Sequence, residues 1–222
     1  TLLFALMLIF QGIWYTKGYY DYYGGDGMYL NAAGVMYQNL AGCGLLMVII
    51  VAVITGPTLY KDIQFKSAQW VYALPVNEKQ FFLSRFLSAF LINVIIASAY
   101  MIGMVIVPYS GIGEANLFGP TPYVQMLYGF FLLTVPNLFL LTSLAFCALA
   151  IFRQAAAGYL AIFLTVIAFL LLQSAAEAVG YSPLFTIGEP FGFVAVNQQV
   201  DMMTIAERNS GFFHLSGDLL AN

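Results

Sequence analysis

Apolar residues in this chain run in stretches of fifteen to twenty-nine, and stretches of that length predict helices that cross a lipid bilayer. Five such runs are expected, at about 1–15, 40–56, 81–107, 124–152 and 155–176. The first is apolar from its second residue and short for a span, which predicts a helix that begins before Thr1. It lacks the basic start and small-residue cleavage site of a signal peptide. The second is expected to stop at Gly56-Pro57, where proline has no N–H to give, and the third at Pro108. Pro136 should bend the fourth. The fifth follows so closely that the two form an antiparallel hairpin. After Glu177 the chain turns polar and loop-like.

Composition agrees with this class: 62% of the residues are hydrophobic and 8% charged, against about a quarter charged in soluble domains. Mean hydropathy is +0.87. Only helices and closed barrels satisfy every backbone polar group where water is absent, and these runs are too long and too evenly apolar for barrel strands. The predicted fold is an all-α, polytopic transmembrane helix bundle in a single domain over 1–222. No internal repeat or low-complexity tract divides it.

Charge orients the bundle. Lys61, Lys66, Lys79, Arg85 and Arg153, five of the seven basic residues, fall on one side of the alternating runs. Basic residues in short loops stay cytoplasmic, so the 60–80 region is expected inside. Asp21, Asp26, Glu114, Glu177, Glu189, Asp201, Glu207 and Asp218 fall on the other side, against only Lys17 and Arg208. The tail 178–222 is therefore expected outside, and an outside tail after five spans predicts a sixth helix beyond Asn222. Trp14 with Tyr15, Tyr19, Tyr20, Tyr22, Tyr23 and Tyr29 fits an interfacial aromatic belt better than a sugar or lipid platform. Pro183, Pro190 and several glycines amid phenylalanines give the tail the character of short or re-entrant pieces over the outer mouth.

Several function classes lose support. A net charge of -3, carried mostly by outer loops, offers no basic surface for nucleic acid. Cys43 and Cys147 lie in apolar runs without metal-ligand spacing and read as packing residues. His214 is the sole histidine, with no second nitrogen or clustered carboxylates near it in sequence. There is no phosphate loop, no HExxH helix and no GxSxG elbow. No ionisable residue stands at the centre of a run, which argues against an ion-coupled porter; Glu177, at a run's end, reads as an end cap rather than a proton relay. The small residues Ala41-Gly42-Cys43-Gly44 and Ala155-Ala156-Ala157-Gly158, with Ala161, are candidates for close helix packing, with lipid-facing chance placement the equal alternative.

The most informative loop runs from Tyr60 to Gln80. Ile63, Phe65, Trp70, Tyr72 and Leu74 alternate with Lys61, Lys66 and Gln69, which suits a short amphipathic helix at the membrane surface, stopped by Pro75. Asn77 can cap the next helix, with Gln80 placed as in a capping box. Such a helix either anchors the bundle or docks a cytoplasmic partner.

The tyrosine-lysine-aspartate start at Tyr60-Lys61-Asp62, the amphipathic segment, Leu74-Pro75-Val76 and the entry from Phe81 to Arg85 resemble the coupling-helix region of ABC-2 type transporter permeases. Val135-Pro136-Asn137-Leu138-Phe139, Arg153, Glu189-Pro190-Phe191-Gly192-Phe193, Thr204 to Asn209 and Leu215-Ser216-Gly217 resemble a bacterial branch whose permeases are often joined to an M1 metallopeptidase-like domain. The resemblance implies six helices per half, two halves as a homo- or heterodimer, and a multi-pass location in the bacterial inner membrane. It further implies that Lys61, Asp62, Lys66, Gln69 and Trp70 face a separate cytoplasmic ATP-binding subunit, which would hold ATP and magnesium. No cofactor or metal is expected in this chain, and the chain is a transport permease rather than an enzyme. Two other readings stand beside the exporter: an ion-coupled secondary transporter, and a membrane anchor for an extracytoplasmic peptidase.

Overall fold

The computed structural model describes residues 2, 3, 5, 6, 9, 27–64, 77–111, 115–179, 189 and 191–210. The described residues are helical or in turns, without strands. Four helices among them are long and apolar enough to cross a membrane. They are α1 (Ala33–Gln64), α2 (Glu78–Ile106), α3 (Tyr123–Phe152) and α4 (Ala155–Val179). Two short helices follow, α5 (Phe193–Asp201) and α6 (Ile205–Asn209). Of the predicted first span, Leu2, Leu3, Ala5, Leu6 and Ile9 are helical; its other residues lie outside the described ones.

Helix α1 departs most from expectation. It starts seven residues before the apolar run does, because its polar positions are used inside the bundle. Asn39 donates to the Val35 carbonyl and accepts from the Tyr100 hydroxyl of α2, and Gln38 donates to Asn197 of α5. At the other end α1 continues through Pro57 to Gln64 instead of stopping at Gly56. Proline forfeits one helical hydrogen bond and is tolerated in membrane helices where neighbours absorb the loss. Just beyond Pro57, the Thr58 hydroxyl donates to the Thr55 carbonyl. At 1.5 Å per residue α1 is about 48 Å long, more than the roughly 30 Å of hydrocarbon in a bilayer.

Helix α1 is also the centre of the bundle. Val35, Met36, Leu40, Cys43, Met47 and Val51 are fully buried, and they pack against α2, α3 and α4. Helix α2 buries one face through Ala89, Asn93, Ile96, Tyr100 and Met104 and exposes Leu83, Leu87, Leu91 and Ile95 on another. That exposed stripe at four-residue spacing suits lipid. Between α2 and α3 the rings of Phe82, Phe86, Phe90, Phe139 and Phe146 meet edge-on at 5.6 to 6.5 Å, the arrangement favoured by ring quadrupoles. Helix α4 is the most exposed, with Leu160, Phe163, Leu164, Leu170 and Leu171 uncovered.

Ahead of Pro136 the helix changes its winding. The α-turns of Tyr123–Gly129 widen into a π-helical stretch, Phe130–Thr134, before α-helix resumes at Val135. A widened turn makes room for a ring that otherwise collides with the carbonyl four residues earlier. The Thr134 hydroxyl uses the break to donate to the Leu40 carbonyl of α1. The hairpin between α3 and α4 turns on Arg153, whose φ of 53° is left-handed and whose N–H closes on the Leu149 carbonyl. Asn77 does cap α2, accepting from the Lys79 N–H, but the bond does not involve Gln80.

Close packing falls where small residues were singled out. A side chain at Gly44 would meet the Asn137 amide and the Phe191 ring at 3.1 Å, and one at Gly158 would meet Leu149 at 2.9 Å. Gly44→Leu should therefore overpack the centre and cost about 1–3 kcal/mol. Thermal unfolding in detergent should show a lower Tm for Gly44→Leu. Gly34→Ala, whose new methyl would sit 3.5 Å from Val200, should match the parent.

Candidate functional site

Of the residues singled out for coupling, Lys61 and Asp62 lie at the Gln64 end of α1. Lys61 is exposed in the last turn of α1, where its charge faces the negative end of the helix dipole. Asp62 belongs to the same helix. Both thus continue a spanning helix instead of opening a separate surface helix. Lys66, Gln69 and Trp70 lie outside the described residues. Phe82 of α2 touches Phe146 of α3, and Gly56 of α1 abuts Tyr159 of α4, so the four helices share this end. Lys79, Arg85 and Arg153 therefore join Lys61 there, opposed among the described side chains by Glu78. Arg85 lies 5.2 Å from the centroid of the Phe81 ring, a cation–π distance.

A second constellation was not foreseen, and it forms inside the bundle. Helix α5 packs antiparallel along α1: Val200 faces Gly34, Phe193 faces Gly42 and Phe191 faces Gly44. Gly44 is eleven residues, about 16 Å, along α1 from Ala33. The chain at Phe191 therefore reaches about a third of the way along α1 before α5 returns to the Ala33 end. This is a half-helix with its N-terminus in the middle of the bundle, held by Gly192 at φ 70°. Asn137 of α3 donates to the Phe191 carbonyl at 2.9 Å, and the Phe191 ring meets Phe169 of α4 edge-on at 5.2 Å.

Glu189 caps that N-terminus. Its Oε1 accepts from the Phe191 N–H and its Oε2 from the Val194 N–H, each at 3.0 Å, and the residue is only 2% exposed. Two influences oppose each other. Burial pushes the carboxyl up to about 7, against the pull of the N–H groups of Val194, Phe191, Phe193 and Gly192 towards the anion. Charge counting had placed Glu189 with the outer loop charges; the structure buries it at the start of α5, next to Phe191, which meets α1, α3 and α4. The signal was an acidic residue just ahead of Gly192 and an apolar run, the arrangement of a helix start.

At the Ala33 end, α6 is stapled down by side chains. Thr204 and Glu207 form a capping box, legible as a Thr-x-x-Glu spacing, and the Thr204 donors hold the Glu207 carboxyl below its usual range. Asn209 accepts from the Tyr29 N–H and donates to the Gly27 carbonyl. Asn31 bonds both backbone groups of Gly119. An open cleft of about 260 Å³ beside these ties is lined by Tyr29, Asn31, Thr121, Gln125 and Asn209. No group of three or more His, Cys, Asp or Glu able to hold a metal occurs among the described residues. Cys43 is buried in the main cluster, as expected of a packing residue; Cys147 is exposed on α3. The Glu177 side chain and His214 are outside the described set.

Comparison with models of known protein families, with curated proteins and with solved structures returns no match.

Removing the Asn137 amide tests how the half-helix is held. Asn137→Leu should strand the Phe191 carbonyl and cost about 1–3 kcal/mol. Hydrogen exchange should rise in residues 191–201 of the variant before it rises in α2, because the loss falls on the half-helix first.

Proposed function

We propose that this chain is the membrane-spanning permease of an ATP-binding cassette exporter, moving a substrate across a bacterial inner membrane. In this reading a separate subunit binds ATP and magnesium on the cytoplasmic side and grips Lys61, Asp62, Lys66, Gln69 and Trp70. A second permease half completes the pathway.

The observation that carries the proposal is the course of α1. The helix that holds Lys61 and Asp62 runs on to become the most buried element of the bundle. A push at its basic end is delivered directly to α2, α3, α4 and the half-helix, because a close-packed helix transmits displacement. The cluster of Lys61, Lys79, Arg85 and Arg153 at that end fits a cytoplasmic orientation. No phosphate-loop motif occurs in these residues, and in this reading ATP is bound outside them.

An ion-coupled secondary transporter remains as a second reading, and one observation favours it. Glu189 supplies the buried carboxyl that the apolar runs lack. The two readings separate on energy source. An exporter keeps working when ion gradients are collapsed and stops when the ATP-binding subunit is lost; a secondary carrier does the reverse.

Reversing charge with Lys61→Glu and Lys66→Glu together should lower ATP-dependent transport by about tenfold or more, equal to about 1.4 kcal/mol of coupling per decade. ATP hydrolysis by the partner should persist, and membrane insertion should be unchanged. Purification of the native chain from its own membranes without any nucleotide-binding subunit would overturn the exporter reading. Labelling of Lys66→Cys from outside intact cells would overturn its orientation.

A further inference from the structure

We propose that Glu189 is a proton-binding site that controls the seating of the half-helix α5 in the middle of the bundle. Bound with its proton, the carboxyl stays in the dry site and α5 stays against α1. Charged, it draws the segment ahead of α5 towards water. The proposal holds whichever energy source drives the protein.

Geometry sets the direction. Glu189 is buried beside Phe191, which lies about a third of the way along α1, and no cation is paired with it among the described residues; Arg208 pairs with Asp201. A buried carboxylate without a cation is costly, and such groups neutralise by taking up a proton. The N–H groups of the half-helix soften that cost without removing it, since hydrogen bonds from neutral donors replace only part of the lost hydration. The start of α5 is held by a side-chain bond from Asn137, a ring contact to Phe169 and the left-handed Gly192, while Gln38 bonds Asn197 and Val200 packs on Gly34 further along.

No other described group competes for this role. On α1 the titratable residues in the surrounding clusters are Tyr37 and Cys43. Helix α3 presents Asn137 and Thr134, and α4 presents Phe169; none of these titrates. Asp201, Glu207 and Arg208 stand at the far end of α5 and on α6, where Asp201 and Glu207 are exposed.

Linkage gives the sign. The seated carboxyl takes its proton near pH 7, whereas a freely solvated one does so at about 4.5. Seating is therefore fully supported below about 4.5 and loses that support as pH rises to about 7.

The test uses the full chain in lipid nanodiscs, with Cys43→Ala and Cys147→Ala as background. Ala195→Cys reports the buried face of α5, and Met202→Cys, at a position 82% exposed, corrects for the pH dependence of thiol chemistry. A charged maleimide is the probe. The Ala195→Cys to Met202→Cys labelling ratio should rise about tenfold or more between pH 5.5 and 8.5. With Glu189→Gln added, it should stay low at both values. Hydrogen exchange of residues 191–201 in the chain with its own cysteines, corrected for intrinsic pH effects, gives the same reading if the cysteine-free background does not fold. A flat ratio and flat exchange in the parent would overturn the proposal, as would an equal rise in Glu189→Gln.

Discussion

The hydrogen bond from Asn137 to the Phe191 carbonyl closes a place where the backbone stops being self-sufficient inside an apolar bundle. Spanning helices satisfy their own peptide groups, so they ask little of their neighbours. A half-helix that begins at mid-depth leaves donors at its start and carbonyls ahead of it, each costly without water. Asn137 meets the carbonyl, and Glu189 meets the donors. The remaining arrangement has to deliver those two side chains to one point.

Several otherwise separate features serve that delivery. Gly44 lets α1, Asn137 and Phe191 converge, since any side chain there would occupy the space that Asn137 and Phe191 share. The π-helical stretch ahead of Pro136 breaks the ladder of α3 just before Asn137, which re-aims the residues that follow. Phe169 brings α4 onto the same spot. Apolar association is weak as a driving force between helices already in lipid, so close contact and polar bonds at a few positions decide how these helices sit.

The spanning helices were legible because length and apolarity are the physical conditions for crossing a bilayer, and α2, α3 and α4 begin and end within a few residues of their apolar runs. Helix α1 was underestimated for a definite reason. Gln38 and Asn39 lower the apolar count locally, yet each finds a partner on another element, and partners are invisible in one sequence. Pro57 misled in the opposite way, since a missing N–H ends a helix in water more readily than in a packed bundle. Of the residues singled out for coupling, Lys61 lies at a basic end shared with Lys79, Arg85 and Arg153, on a helix longer than its apolar run.

Glu189 shows where charge counting reaches its limit. The rule assigns a charge to a side of the membrane from its place between apolar runs, which presumes that a loop stays in a loop's surroundings. Pro190 and Gly192 make this stretch read as loop; Phe191 nonetheless lies beside Gly44, and the Glu189 carboxyl bonded to its N–H is buried with it. An apolar run without central charges therefore does not establish a bundle without them. The argument against ion coupling drawn from the runs alone rests on that equation, and the burial of Glu189 removes its premise. What remains is a buried central helix continuous with a basic end, with the half-helix packed along it.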